Sequence, residues 1–375
     1  MLPDFRLETY FSRWEFRARY HLCASDTESI SVQELLAMAG EDERRAWDEL
    51  RLGYTETFGA PALRTAIAQT YDSLDEADVL TFAGAEEGIF AAMQVLLSPG
   101  DHAVVVTPNY QAAETIPASI CAVTGVALDP ANGWNLDIDQ VQDAVRPNTR
   151  LISINFPHNP TGKVIGAGTL TALVDIARDR GIYLFSDEVY RLLERDASLR
   201  LPQVADVYEQ GLSLNVMSKA FGLPGLRVGW VATRDRQVLE KMERAKHYLS
   251  ICNSAPSEVL ATIALQARER LLGRNRDIIA DNLGLLDGFF AEHTELFEWA
   301  IPDGGCIAFP RYKGAEGVER FCKELVEQAG VLLLPASVYQ SALTPVPADR
   351  FRIGFGRANM PDCLAILREH VDRSG

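Results

Sequence analysis

The chain has 375 residues, 47% of them hydrophobic and 23% charged, with a formal net charge of −16. That length supports a large core and two domains, in the composition range of soluble globular proteins. The negative charge argues against a general nucleic-acid binder and against docking on anionic membranes, while leaving room for an anion in a local pocket.

The opening residues, MLPDFRLETYFSRWEF, mix acids and bases and lack the apolar core of a secretory signal, so the expected location is the cytoplasm. SVQELLAMA reads as a helix. GYTETFGAPALRTAIAQTY starts as a turn and continues as a helix with Leu63, Ile67 and Tyr71 on its apolar side. ADVLTFAGAEEGIFAAMQVLL reads as strand, glycine turn and helix, and DHAVVVTPNY as a strand stopped by proline. TRLISINFPHNPTG is a buried strand followed by a polar turn, and LTALVDIARDRG a helix closed by glycine. IYLFSDEVY, LSLNVMS and LRVGWVATR are further strands. This alternation predicts an α/β fold with a mostly parallel sheet between helix layers.

Beyond about residue 236 the pattern changes to long helices, VLEKMERAKHYL and SEVLATIALQARERLL, followed by short strands in GGCIAFPRY and FRIGFGR. The expected division is a segment 1–50 that joins the smaller domain and the entrance to the site, a large domain 51–245, and an interdomain helix with a small α+β domain over 246–375. Cys23, Cys121, Cys252, Cys306, Cys322 and Cys363 lie far apart without a CxxC pair, and the histidines form no HExxH pattern. No metal site is expected. No apolar run is long enough to span a membrane.

In an open α/β sheet, ligands bind outside the carboxyl ends of the strands. Four stretches fall there. Gly84-Ala85-Glu86-Glu87-Gly88 offers free N–H groups at a helix start, suited to a phosphate, although it is neither a P-loop nor GxGxxG. Asn159 stands between Pro157 and Pro160, whose restricted backbones can fix its direction. Asp187 follows a buried run, where a carboxylate is costly without a partner such as a protonated ring nitrogen. Ser218-Lys219 ends another strand, in SLNVMSKAFGLPGLRVGW. Taken singly, each stretch is a modest signal: the glycine turn and the Asn159 turn are equally compatible with ordinary turns, and Ser218 alone is more often an ordinary hydrogen-bonded residue.

Together, NFPHNPTG, SDEVY and SKAFGLPGLRVGW resemble the fold-type I, pyridoxal-phosphate-dependent class I/II aminotransferases, from about Arg51 to Arg357. The resemblance implies a large domain with a mostly parallel seven-stranded sheet and a smaller α+β domain. It implies that Lys219 forms the internal aldimine, that Asp187 pairs with the pyridine nitrogen, and that Tyr190 and Asn159 share the phenolic oxygen. Ser218, Arg227 and the backbone of Ala85 and Glu86 would hold the phosphate. Tyr110 would stack on the ring, and Arg352, beside Asn159, would take the substrate α-carboxylate. Tyr54 would reach the cofactor of the other subunit, which implies a homodimer. The implied partners are an amino acid and a 2-oxo acid.

Two departures stand out. Glu86 replaces a small hydroxyl residue in the phosphate turn; its carboxylate either stays away from the phosphate or faces the substrate, where it would attract a cationic end. Glu87 is an equal candidate for the helix surface. The segment YHLCASDTES, with Cys23, Ser25 and Asp26, stands where relatives carry a glycine-containing entrance segment, and Asn253 and Ser254 either position substrate or cap a helix. The expected activity is transamination by a ping-pong route. Its rivals are a same-fold β- or γ-elimination (C–S lyase), a cyclisation or oxidation of a basic amino acid in specialised biosynthesis, and a regulator or scaffold that retains the fold.

Overall fold

Seven strands build the centre of the computed structural model, which describes residues 2–374. They are β1 (Val79–Phe82), β2 (His102–Thr107), β3 (Ala122–Ala127), β4 (Thr149–Asn155), β5 (Tyr183–Asp187), β6 (Gly211–Val216) and β7 (Gly229–Ala232). Across the sheet the order is β1-β7-β6-β5-β4-β2-β3. All neighbours are parallel except β7, which runs antiparallel to both β1 and β6. The sheet is therefore mixed and mostly parallel, as expected from the alternation of apolar runs and helices.

Burial explains the strand sequences. HAVVVT in β2 is buried at every position, because helices cover both faces of the sheet and leave no side for polar residues. In β5 the first four residues are buried and Asp187 ends the strand where the sheet meets the cleft. Pairing places Asp187 opposite Asn155 of β4 and Leu214 of β6. Three polar strand ends are thus gathered on one edge: Asn155, Asp187, and the Ser218-Lys219 turn beyond β6.

Helix α1 (Arg6–Trp14) lies over this edge, with Leu7, Glu8 and Phe11 facing the cleft. Helix α2 (Ala85–Leu96) starts directly from the turn after β1. The long helical region expected after residue 255 divides at Ala267 into Ala255–Gln266 and α3 (Arg268–Glu292). Helix Pro61–Ala68 ends before Tyr71, which is nonetheless buried.

A smaller β-rich unit packs beside the sheet. Phe351–Gly354 is the middle strand of three, antiparallel to Ile307–Ala308 and to Leu334–Pro335. Tyr20–His21 pairs in parallel with Val331–Leu332, which fastens the N-terminal segment to this unit. Phe297, Phe321 and Phe351 pack edge-on and tilted, and Tyr312 stacks on Phe321. This cluster fixes Phe351, and with it the alternate residue Arg352, which points the other way.

Candidate active site

The carboxyl edge of the sheet and the smaller unit enclose a cleft of about 360 Å³. Ala85, Glu86, Tyr110, Asn159, Asp187, Tyr190, Ser218, Lys219, Arg227 and Arg352 all line it. Tyr54 does not; its side chain is 93% exposed on the surface.

The turn before α2 is shaped by glycine. Gly84 has φ 102°, a conformation that costs little only without a Cβ. A Cβ there would meet Arg227 Nη2 at 2.5 Å. On the other side, a Cβ on Gly229 would meet the Gly84 carbonyl carbon at 2.7 Å. The guanidinium of Arg227 is therefore laid against bare backbone, next to the first N–H groups of α2, which have no intrahelical acceptor. Such a cradle fits a phosphate. Gly84→Ala is expected to lower stability by about 1–3 kcal/mol through backbone strain and to weaken phosphate-dependent cofactor retention. Thermal melts and equilibrium dialysis measure the two effects.

Glu87 proves to be structural rather than a free helix-surface residue. Its carboxylate accepts from the Ala83 N–H at 2.6 Å and from Ser250 N and Oγ at 2.8 and 3.0 Å.

Asp187 is held by its neighbours. Its Oδ1 accepts from the Val189 N–H at 3.2 Å, and its carbonyl accepts from Asn155 Nδ2 at 2.9 Å. Burial pushes its carboxyl up to about 6, against the smaller opposing effects of the Val189 N–H and the Lys219 charge. An acid in that state favours a cation placed beside it. Asn155 also orients Asn159, accepting from its backbone N–H at 2.9 Å. His158 locks the same turn: Nδ1 lies 2.8 Å from Thr161 Oγ1 and Nε2 lies 2.8 Å from the Pro108 carbonyl. The carbonyl can only accept, so Nε2 carries the proton and Nδ1 accepts from threonine. Burial pushes this histidine down to about 4, so it stays neutral.

Lys219 sits at the cleft floor. Its Nζ donates to Ser25 Oγ at 2.8 Å. Loss of water lowers its pKa, with Arg352 acting in the same direction and Asp26 and Asp187 opposing. Tyr190, almost fully buried, donates to the Ser25 carbonyl at 3.0 Å.

Arg352 is 1% exposed. Its Nη1 reaches Tyr339 Oη at 2.6 Å and Asn159 Oδ1 at 3.4 Å, and its Nη2 donates to the Cys23 carbonyl at 2.9 Å. Its Nε is buried without a partner among the described residues. A guanidinium whose hydrogen bonds go to neutral groups is a buried cation in need of an anion, and its fork matches a carboxylate.

Residues 23–364 match the profile of the family described as aminotransferase class I and II. The chain belongs to that family. It is 29% identical to the capreomycidine synthase of Streptomyces vinaceus, over 99% of this chain and 94% of that protein. Among solved structures, a PLP-dependent aminotransferase from Streptococcus suis superposes with a TM-score of 0.92 at 30% identity, covering 99% of this chain and 98% of the other. The PLP-dependent cyclase OrfR superposes at 0.87 with 27% identity, again over 99% and 98% of the two chains. The architecture is that of the fold-type I enzymes.

For a member of this family, the cradle, the raised acid, the desolvated amine and the unpaired guanidinium fit pyridoxal phosphate and an amino-acid carboxylate. Sequence reasoning missed several residues that line the cleft or stand behind it. Tyr339 carries no motif, yet it donates to Asn159 Oδ1 at 3.1 Å and receives Arg352. Arg357 forms a two-pronged pair with Asp26 at 2.9 and 3.1 Å. Glu8 accepts from the Tyr110 hydroxyl at 3.4 Å. Of the entrance candidates, Ser25 and Asp26 line the cleft, whereas the Cys23 side chain is buried away from solvent.

Asn253 does not face the cleft. Its amide donates to the Phe82 carbonyl at 2.7 Å and accepts from Lys246 Nζ at 2.9 Å, so it braces the turn from beneath. Ser254 stands at the N-cap position of the helix Ala255–Gln266 without a side-chain capping bond. Among the described residues, no group of three or more potential ligands is arranged to hold a metal ion, and no helix is long and apolar enough to cross a membrane.

Proposed function

We propose that the protein is a pyridoxal-phosphate-dependent aminotransferase that moves an α-amino group from an L-amino acid to a 2-oxo acid by a ping-pong route. The observation that carries this reading is the convergence of Lys219, Asp187 and Arg352 on one cleft. Ser218, Arg227 and the backbone at Ala85 and Glu86 would hold the cofactor's phosphate, Asp187 its ring nitrogen, Asn159 and Tyr190 its phenolic oxygen, Tyr110 its ring face, and Lys219 its aldehyde carbon. When bound, the cofactor supplies a cationic ring that takes up the electron pair left at the substrate α-carbon.

The protein's own residues supply the rest. Arg352 binds the substrate carboxylate and orients the α-carbon. Lys219, with its lowered pKa, removes and returns the proton at that carbon. The desolvation of Asp187 strengthens its effect on a neighbouring cation. With amino acid alone, one equivalent of 2-oxo acid per active site should appear without ammonia. Ammonia release would contradict transamination.

We take residues 51–245 as the cofactor-binding unit, with 1–50 and 246–375 forming the rest. The working form is a homodimer, in which Tyr54 reaches the partner's cofactor. Thr55 Oγ1 donates to the Asn253 carbonyl at 3.2 Å, which puts the exposed Tyr54 beside the turn carrying the exposed Tyr248 and Ile251. Exposed large apolar residues near one another support the reading of an interface there.

A second reading keeps the same site but catalyses a β- or γ-elimination, or cyclises or oxidises a basic amino acid. It is favoured by the near-complete overlap with a capreomycidine synthase and with a cyclase, and by Glu86. The Glu86 carboxylate lines the cleft, one of its oxygens is buried without a partner, and burial followed by Glu8 pushes it up to about 7. A cation at the distal end of a substrate would hold it ionised. Binding such a substrate then releases a proton, so KM for a basic amino acid falls as pH rises through about 7 and levels off above it. Glu86→Gln should flatten that dependence and raise this KM about tenfold, the value of one charge-assisted hydrogen bond. A preference between basic and neutral substrates unchanged by Glu86→Gln would contradict a role in recognition.

A further inference from the structure

We propose that Ser25 is a positioning residue for Lys219: its hydroxyl holds the free amine and sets the direction in which that amine meets the substrate α-carbon. The inference rests on reading Lys219 as the group that moves the α-proton, and it assigns a role to a residue that no motif marks.

Among the described residues, Ser25 is the hydrogen-bond partner of the amine, at 2.8 Å across 194 positions of sequence. Lysine has a long flexible stem, and an unanchored amine would sample many rotamers. Ser25 itself is held from several sides. Its carbonyl accepts from Tyr190 at 3.0 Å. Thr27 Oγ1 donates to the Lys219 carbonyl at 2.9 Å, so the two segments are tied at backbone as well as side chain. Asp26 is clamped by both prongs of Arg357.

Bare backbone makes room for this crossing. A Cβ on Gly222 would meet Thr27 Oγ1 at 2.7 Å, and Cβ atoms on Gly354 and Gly356 would collide with the carbonyls of Ala24 and Asp26. The segment 24–27 thus lies wedged between the lysine turn and the strand that carries Arg352. Its one hydroxyl on the cleft side is spent on the amine. The charged and titratable groups facing Lys219 are Asp26, Asp187, Arg352 and Cys306, all acting at longer range than this hydrogen bond. A fixed amine aimed at the reacting carbon shortens the search for a productive geometry.

Two measurements on Ser25→Ala and Ser25→Thr test the assignment. The first follows exchange of the substrate α-proton in deuterated water by NMR, using cofactor-loaded enzyme. Ser25→Ala should slow exchange about tenfold, a fraction of what a positioned acid–base group contributes, with a smaller change in KM. Ser25→Thr keeps the hydroxyl and should restore most of the rate. The second measures acetic anhydride labelling of Lys219 against pH in the full chain before loading. Loss of an acceptor for the charged amine should lower the labelling midpoint in Ser25→Ala by about one pH unit. An exchange rate within about twofold of wild type, an unmoved midpoint, or equal losses in both variants would overturn the proposal. The labelling experiment needs no cofactor, so it separates failure of this inference from failure of the cofactor assignment.

Discussion

Lys219→Ala should lower turnover by about 10⁴-fold, the upper range for removal of a positioned proton-transfer group. The chain should remain folded. The amine is desolvated in the native state, and among the described residues its hydrogen bond goes to Ser25 rather than to a carboxylate. Removing it leaves a neutral hydroxyl and takes from Asp187 only a minor opposing charge, so the melting temperature should change little. A small added amine should recover part of the activity by occupying the vacated space. A variant that retained activity within tenfold of wild type would place the chemistry elsewhere. Lys246, the other buried lysine, is engaged with the Thr57 carbonyl and Asn253 at 2.7 and 2.9 Å.

Asp187→Asn is the second large effect. Asparagine keeps the shape and can still accept from the Val189 N–H, but it cannot hold a neighbouring ring nitrogen cationic. Removing one partner of a desolvated pair costs about 3–4 kcal/mol, so kcat should fall about 10²–10³-fold. Stability should move the other way. The native pKa of Asp187 is raised from 3.8 to about 6, chiefly by burial. A carboxyl with a raised native pKa contributes fully below its unfolded value, and that contribution is lost as pH climbs through about 6. Cofactor-free Asp187→Asn escapes this loss. Its melting temperature should exceed that of wild type near pH 8, with the gap closing near pH 4. Lower activity with higher stability is the mark of a residue kept for chemistry.

How far the sequence reveals the site depends on sequence separation. Asp187, Ser218 and Lys219 are legible because each ends a strand whose apolar run is visible, and strand ends of a parallel sheet converge on one edge. Gly84 is legible because a helix beginning straight after a strand needs a turn that only glycine adopts easily. Contacts between segments far apart in sequence are not legible. Ser25 meets Lys219, Asp26 meets Arg357, and Tyr339 meets Arg352, none through a local pattern. The direction of Glu86 was open for another reason. Adjacent positions in a first helical turn point about 100° apart, and the sequence does not say which one faces the cleft. Packing decides it: Glu87 is taken up by Ala83 and Ser250, and Glu86 turns inward.

The N-terminal segment teaches the same lesson. Its short strand Tyr20–His21 is too brief to carry a period, and pairing with Val331–Leu332 gives it order. That pairing delivers Ala24, Ser25 and Asp26 to the cleft.

In the proposed function, Lys219 carries the cofactor in a site built around Asp187. Full-length protein loaded with pyridoxal phosphate, reduced with borohydride and digested should yield one modified peptide, with the pyridoxyl group on Lys219. A group found on Lys246 or on another lysine, or none at all, would contradict the account.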